Sequence, residues 1–156
     1  MGKNAVNANF KTEQGLRQKD YVFWKYEQFR EWVTTPPKIS VRYDENRIPY
    51  SKSWWFRTIR LPDITLFHKL FYVDGVKVVP RNIVDLLDPL ALAVWIMDDG
   101  CLNRSKIDIS TYSFRLDEIK LLQGFPTTIK LPASFISLAS LETPTGNGFT
   151  VSLLGS

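Results

Sequence analysis

Leu86-Leu87-Asp88-Pro89-Leu90-Ala91-Leu92-Ala93-Val94-Trp95-Ile96-Met97-Asp98-Asp99-Gly100 reads as an apolar helix with a marked start and an acidic stop. Asp88 suits the N-cap, and Pro89 suits the first helical position, where a missing N–H is no loss. The run Leu90 to Met97 is apolar all round, which predicts a helix buried on most sides. Ala91 and Ala93 are small enough for another helix to approach closely. Two adjacent carboxylates then occupy the C-terminal end, where the helix macrodipole is negative and where they repel each other. A bound divalent cation would offset both costs. The plainer alternative is a polar helix stop with Gly100 in a left-handed cap.

Working outward, the chain has 156 residues, 44% of them hydrophobic, enough for a real core and too apolar for disorder. One cysteine, Cys101, excludes an intrachain disulfide and a cysteine-rich zinc site. One histidine, His68, argues against a histidine metal site or a Ser-His-Asp triad. The N-terminus is polar, with no signal peptide in view, and the longest apolar run is far too short to span a membrane. An intracellular protein without a membrane partner is expected. Net charge is +4 but uneven: residues up to Arg60 hold 12 Lys+Arg against 6 Asp+Glu, whereas the remainder is acidic. A basic half followed by an acidic helix end is what a phosphate-binding surface leading to a metal would look like.

Periodicity predicts a mixed order of elements: strand, helix, two strands, helix, short strand, then the Asp88–Asp99 helix. Ala8 to Gln14 reads as a strand, and Lys19 to Val33 as a helix with Val22, Tyr26, Phe29 and Val33 on one stripe. Lys38 to Tyr43 alternates cleanly, with Lys38, Ser40 and Arg42 opposite Ile39, Val41 and Tyr43. After a turn-rich link, Tyr50 to Ile59 reads as an aromatic strand in which Ser51, Ser53 and Arg57 share a parity and Lys52 is opposite. Pro62 to Tyr72 reads as a helix with Ile64, Phe67, His68 and Phe71 inward. Val76 to Val79 reads as a short strand, and Asn82 to Leu87 as a helical turn. Beyond the Asp88–Asp99 helix, Cys101-Leu102 and Lys106 to Thr111 read as a hairpin, and Leu116 to Gln123 as the start of a helix. From Phe125 onward only Lys130 and Glu142 are charged, and neither a helical stripe nor sustained alternation is visible.

Leu92-Ala93-Val94-Trp95-Ile96-Met97-Asp98-Asp99-Gly100 resembles the LAGLIDADG motif of homing endonucleases, matching at Leu92, Ala93, Ile96, Asp99 and Gly100. The segments Asn9-Phe10-Lys11, Gln18-Lys19-Asp20-Tyr21, Pro36-Pro37-Lys38-Ile39, Trp54-Trp55-Phe56-Arg57-Thr58, Phe71-Tyr72-Val73-Asp74-Gly75 and Val79-Pro80 follow in the order of one branch of that family. The resemblance implies an α+β, homing-endonuclease-like fold, an antiparallel sheet packed by helices with one motif helix (Asp88–Asp99), that is incomplete here. Residues 1–87 would be most of a first half lacking its motif helix, and 88–124 the motif helix and the start of a second half. Residues 125–156 would be an atypical tail, which suggests a reading frame that departs near Gly124.

The resemblance also implies chemistry. Asp99 is the expected catalytic metal ligand for Mg2+ (or Mn2+), with Asp98 as a weaker second ligand. A sheet of this family lies in the major groove of double-stranded DNA. The expected DNA-binding residues are Lys11, Lys38, Ser40, Arg42, Arg47, Lys52 and Arg57, foremost Lys38, Arg42 and Arg57; the bland alternative is a solvated strand face. Trp54, Trp55 and Phe56 could stack bases, but alternation sends Trp54 and Phe56 inward, so a core role is preferred. His68 and Cys101 read as packing residues. The function expected is a magnesium-dependent DNA endonuclease encoded in an intron, in an organelle (mitochondrion or chloroplast) or the bacterial cytoplasm. The alternatives are a maturase that binds intron RNA, or an inactive remnant. A homodimer through the Leu90–Met97 helix would supply a second motif helix.

Overall fold

Strict alternation and a Pro-Pro breaker delimit the first sheet. The computed structural model describes residues 6–103, 106–111, 113–123 and 148–152, and it divides into two units, Met1–Lys69 and Leu70–Ser156. In the first unit, strands β1 (Lys11–Gly15), β2 (Lys38–Tyr43) and β3 (Pro49–Arg57) form an antiparallel sheet in the order β1-β3-β2. The register sets Lys11 opposite Arg57, Glu13 opposite Trp55, Lys38 opposite Trp55, Ser40 opposite Ser53, and Arg42 opposite Ser51. Directly opposed residues share a face, so these nine side chains lie on one side of the sheet.

The other side faces helix α1 (Lys19–Gln28). Val22, Tyr26 and Phe56 are buried together, with Phe10, Phe29, Val33 and Trp54 packed around them. Ring pairs such as Tyr26–Phe56 and Phe23–Trp54 meet edge-on at 5.8 and 5.4 Å, a geometry that adds to simple area burial. The predicted stripe is therefore real, but α1 ends at Gln28 rather than Val33. Phe29 leaves helical geometry and a 3-10 turn, Arg30–Trp32, follows, with Phe29 stacked on Phe10 at 4.9 Å. The first strand likewise starts at Lys11, three residues late, because Ala8 makes an isolated bridge to Leu61.

Helix α2 (Pro62–Phe71) forms where expected, but Phe67 is 60% exposed, so its predicted inward position is corrected. Thr65 takes the buried place. Its hydroxyl accepts from the Ala8 N–H at 2.8 Å and donates to the Leu61 carbonyl at 3.0 Å, and this rotates the helix from its purely hydrophobic stripe.

In the second unit, β4 (Tyr72–Val73) and β5 (Val76–Lys77) form a hairpin whose turn, Asp74-Gly75, has both residues at positive φ. That is the twist such two-residue loops require. Strand β5 is thus shorter than the predicted Val76–Val79. A short helix, α3 (Ile83–Leu86), precedes α4 (Pro89–Asp99). The Asp88 carboxylate caps α4 by accepting from the Ala91 N–H at 2.7 Å, and Pro89 opens the first turn, as the sequence predicts. Leu92, Ala93 and Ile96 are buried, Ala91, Val94, Trp95 and Met97 are half-buried, and Leu90 is 49% exposed, so burial of α4 is complete only along one stripe.

Strands β6 (Gly100–Asn103), β7 (Lys106–Ser110) and β8 (Gly148–Ser152) form a second three-stranded antiparallel sheet in that order. The tail thus adds one strand that was not predicted. Phe149-Thr150-Val151-Ser152 alternates over too few residues to stand out in sequence. The rest of the tail, and with it the expected frame departure at Gly124, lies outside the described residues. Leu116–Gln123, read from the sequence as the start of a helix, is helical (α5) up to the last of the described residues there. Its Leu122 packs with Val79 and Ile83, bordered by Phe71, Leu87, Trp95 and Phe114. Arg115 offers no capping hydroxyl; instead its N–H donates to Glu118 at 2.7 Å, half of a capping box. The second oxygen of Glu118 accepts from the Val79 N–H at 2.9 Å.

Candidate functional site

Among the described residues two places carry chemistry, and each is built within its own unit. The first is the polar face of β1-β3-β2. Glu13 is its centre: Lys11 Nζ lies 2.7 Å from one carboxylate oxygen, and Arg42 Nη2 (3.2 Å) and Ser53 Oγ (2.5 Å) reach the other. These partners hold the Glu13 carboxyl down at about 2, from an ordinary 4.5. The Lys11 hydrogen bond contributes most and the Ser53 bond next, against partial burial, while the charges of Lys11 and Arg42 help. Glu13 therefore stays ionised and fixes the direction of two long cationic side chains.

The sheet brings together Lys11, Lys38, Ser40, Arg42 and Arg57 of the predicted binding residues. It does not bring Lys52, which opposes Val41 on the other face, or Arg47, which sits in the β2–β3 turn. That turn is built by Asp44, whose carboxylate accepts from the Asn46 and Ile48 N–H groups at 2.9 and 2.7 Å and holds Arg47 at φ 62°. A non-glycine residue at positive φ is a strained backbone position, maintained here by those two bonds. Lys38 and Arg57 are exposed and enter no ion pair among the described residues. Their charges are available to a ligand, whereas Lys11 and Arg42 are already engaged. Glu13, Ser53 and Trp55 stood outside the predicted binding set, although the parity shared with Lys11, Ser51 and Arg57 places all three on this face.

The second place is the acidic end of α4. Asp98 and Asp99 are both exposed, and β6 starts immediately after them. Gly100 is not the left-handed cap of the plainer reading: its φ of −83° and ψ of 149° are extended. Glycine is required there for space, since a Cβ would overlap the Ile96 carbonyl. The helix thus turns into the strand without a loop, and this fixes where the last carboxylate of the helix stands within its unit. Among the described residues, no three His, Cys, Asp or Glu side chains converge. The carboxylate pair offers oxygen ligands only, which suits a hard divalent cation whose remaining positions are filled by phosphate and water. His68 and Cys101 are half-buried, in keeping with packing roles. No helix is long and apolar enough to cross a membrane.

Cytochrome b mRNA maturase bI2 of Debaryomyces hansenii is 38% identical over 91 residues, covering 58% of this chain and 34% of the relative. DNA endonuclease I-ChuI of Chlamydomonas applanata is 35% identical over 106 residues, covering 60% of this chain and 49% of the relative. The chain thus spans between a third and a half of the length of these curated relatives. The homing endonuclease I-WcaI, solved bound to its DNA recognition sequence, shares the fold with a TM-score of 0.67 at 20% identity, covering 77% of this chain and 55% of that one. A family model for the LAGLIDADG DNA endonuclease family matches residues 1–125. The chain belongs to the LAGLIDADG DNA endonuclease family.

Proposed function

We propose that this chain supplies the DNA-binding sheet and a catalytic motif helix of a homing-type endonuclease acting on double-stranded DNA. The observation that carries the proposal is the polar face of β1-β3-β2. There, Lys38 and Arg57 present free cations, and Lys11 and Arg42 are held in fixed directions by Glu13. A twisted antiparallel sheet with one polar face is a shape the major groove admits. In this reading Lys38 and Arg57 hold phosphates, and Arg42 and Ser40 reach base edges.

Nucleases of this family are in general dependent on divalent metal. Asp99, with Asp98 beside it, would hold that cation, and Mg2+ is the ion their oxygen ligands suit. When bound, such an ion polarises a phosphate and lowers the pKa of the attacking water. The contribution of the chain is to aim the Asp99 carboxylate from a rigid helix end, fixed by the tight Gly100 passage. In domain terms, residues 1–87 would form most of one half of a two-motif enzyme and 88–124 the motif helix and opening of the other, while two chains joined through Leu90–Met97 would supply a pair of motif helices.

The test is cleavage, with Mg2+, of plasmids carrying a randomised insert. Recovery of one cut sequence, lost in Asp99→Asn, supports the proposal; folded protein that cuts nothing overturns the enzymatic part of it. A second reading, an RNA-binding maturase encoded in an organelle intron, is favoured by the name of the cytochrome b mRNA maturase relative. It keeps the sheet and dispenses with the carboxylates, and tighter binding of structured RNA than of duplex DNA would select it.

A further inference from the structure

Trp55 does not fit a sheet face that only lies along a duplex. Alternation turns Trp54 and Phe56 towards α1, so Trp55 stands on the polar side, directly opposite both Glu13 and Lys38. Lys11 Nζ is 5.2 Å from its ring centroid. At this end of the sheet lies a cleft of about 470 Å³, whose lining includes Asn9, Thr34, Lys38, Trp55, Arg57 and Arg60. The rim is tied by the Ile59 N–H to the Trp32 carbonyl at 2.7 Å and by the Thr58 N–H to the Phe10 carbonyl at 2.9 Å. Lys38, Arg57 and Arg60 are exposed and form no ion pair among the described residues.

An aromatic ring, three uncommitted cations and neutral hydrogen-bonding groups around one recess of ligand size make a site for a planar ring that carries negative charge. A paired base cannot enter it, because its faces are covered by its neighbours in the stack; a base outside the stack can. We propose that this cleft holds one unpaired nucleotide of a bound nucleic acid, with the base stacked on Trp55 and its phosphates held by Lys38, Arg57 and Arg60. The inference rests on the nucleic-acid reading of the sheet and goes beyond it by naming an unpaired nucleotide as the ligand of this recess.

The experiment compares three probes with the full chain by fluorescence anisotropy, in a DNA series and an RNA series. These are a fully paired short duplex, the same duplex with one bulged 2-aminopurine nucleotide, and the same bulge as an abasic residue. The bulged base is expected to bind about tenfold tighter than its abasic counterpart, and its fluorescence is expected to be quenched on binding. Trp55→Leu removes that preference, and Arg60→Ala weakens both bulged probes. The series that shows the preference identifies the polymer. The quenching is read on unaltered protein, so it stands even if Trp55→Leu does not fold. Equal binding of base-bearing and abasic bulges without quenching overturns the cleft proposal while leaving the nucleic-acid reading intact. Failure to bind any probe overturns both.

Discussion

Replacing Glu13 by Gln keeps the shape of the side chain and removes the charge that gathers Lys11, Arg42 and Ser53. In the folded protein the carboxyl sits at about 2, against an ordinary 4.5, and a difference of that size corresponds to roughly 3 kcal/mol. The partner cations are 53% and 60% exposed, so solvent screening lowers the expected contribution to about 1–2 kcal/mol. The sign follows from the direction of the shift. A depressed carboxylate stabilises the fold fully above the unfolded pKa, and loses that contribution as pH falls from about 4.5 towards 2. Urea denaturation should therefore show wild type more stable than Glu13→Gln by about 1–2 kcal/mol at pH 6, with more than half of the gap gone by pH 3. A gap that stays constant over that range, or a variant more stable than wild type at pH 6, would refute the reasoning.

Three further outcomes follow from the same geometry. Glu118→Ala leaves the buried Val79 N–H and the Arg115 N–H without their acceptor, which should cost about 2–4 kcal/mol in chemical denaturation. Gly100→Ala forces a Cβ onto the Ile96 carbonyl; a loss of at least about 2 kcal/mol is expected, and a melting temperature equal to wild type would show that the helix-to-strand passage can relax. Glu13→Gln should also release Lys11 and Arg42 to phosphate, so the dependence of duplex affinity on salt should steepen by about 0.9 for each cation that gains a contact.

Where the sequence carries its own punctuation, the structure follows it. Strand β2 begins after Pro36-Pro37 and alternates to Tyr43, and α4 begins at the Asp88-Pro89 cap. The polar parity of Lys38, Ser40 and Arg42 places them on one face, because an alternating strand leaves no other arrangement. What escaped sequence reading depended on partners distant in the chain. Phe67 looks inward on any hydrophobic stripe, but the Thr65 hydroxyl is claimed by Ala8, 57 residues away. Phe29 continues the helical spacing, yet its ring stacks on Phe10 and the backbone leaves the helix. Glu13 reads as one more surface acid until Arg42 and Ser53 arrive on neighbouring strands. Gly100 reads as a left-handed cap because helices often end that way, whereas here contact with the Ile96 carbonyl demands the missing side chain.

The central claim is that one face of β1-β3-β2 holds nucleic-acid phosphates through Lys38 and Arg57, and duplex affinity measured against salt tests it most directly. Two contacts predict a log–log slope of about −1.8, so that raising KCl from roughly 50 to 200 mM weakens binding about 12-fold. Lys38→Ala and Arg57→Ala should each reduce the slope by about 0.9. A slope near zero, or one that the two substitutions together leave unchanged, would contradict the account.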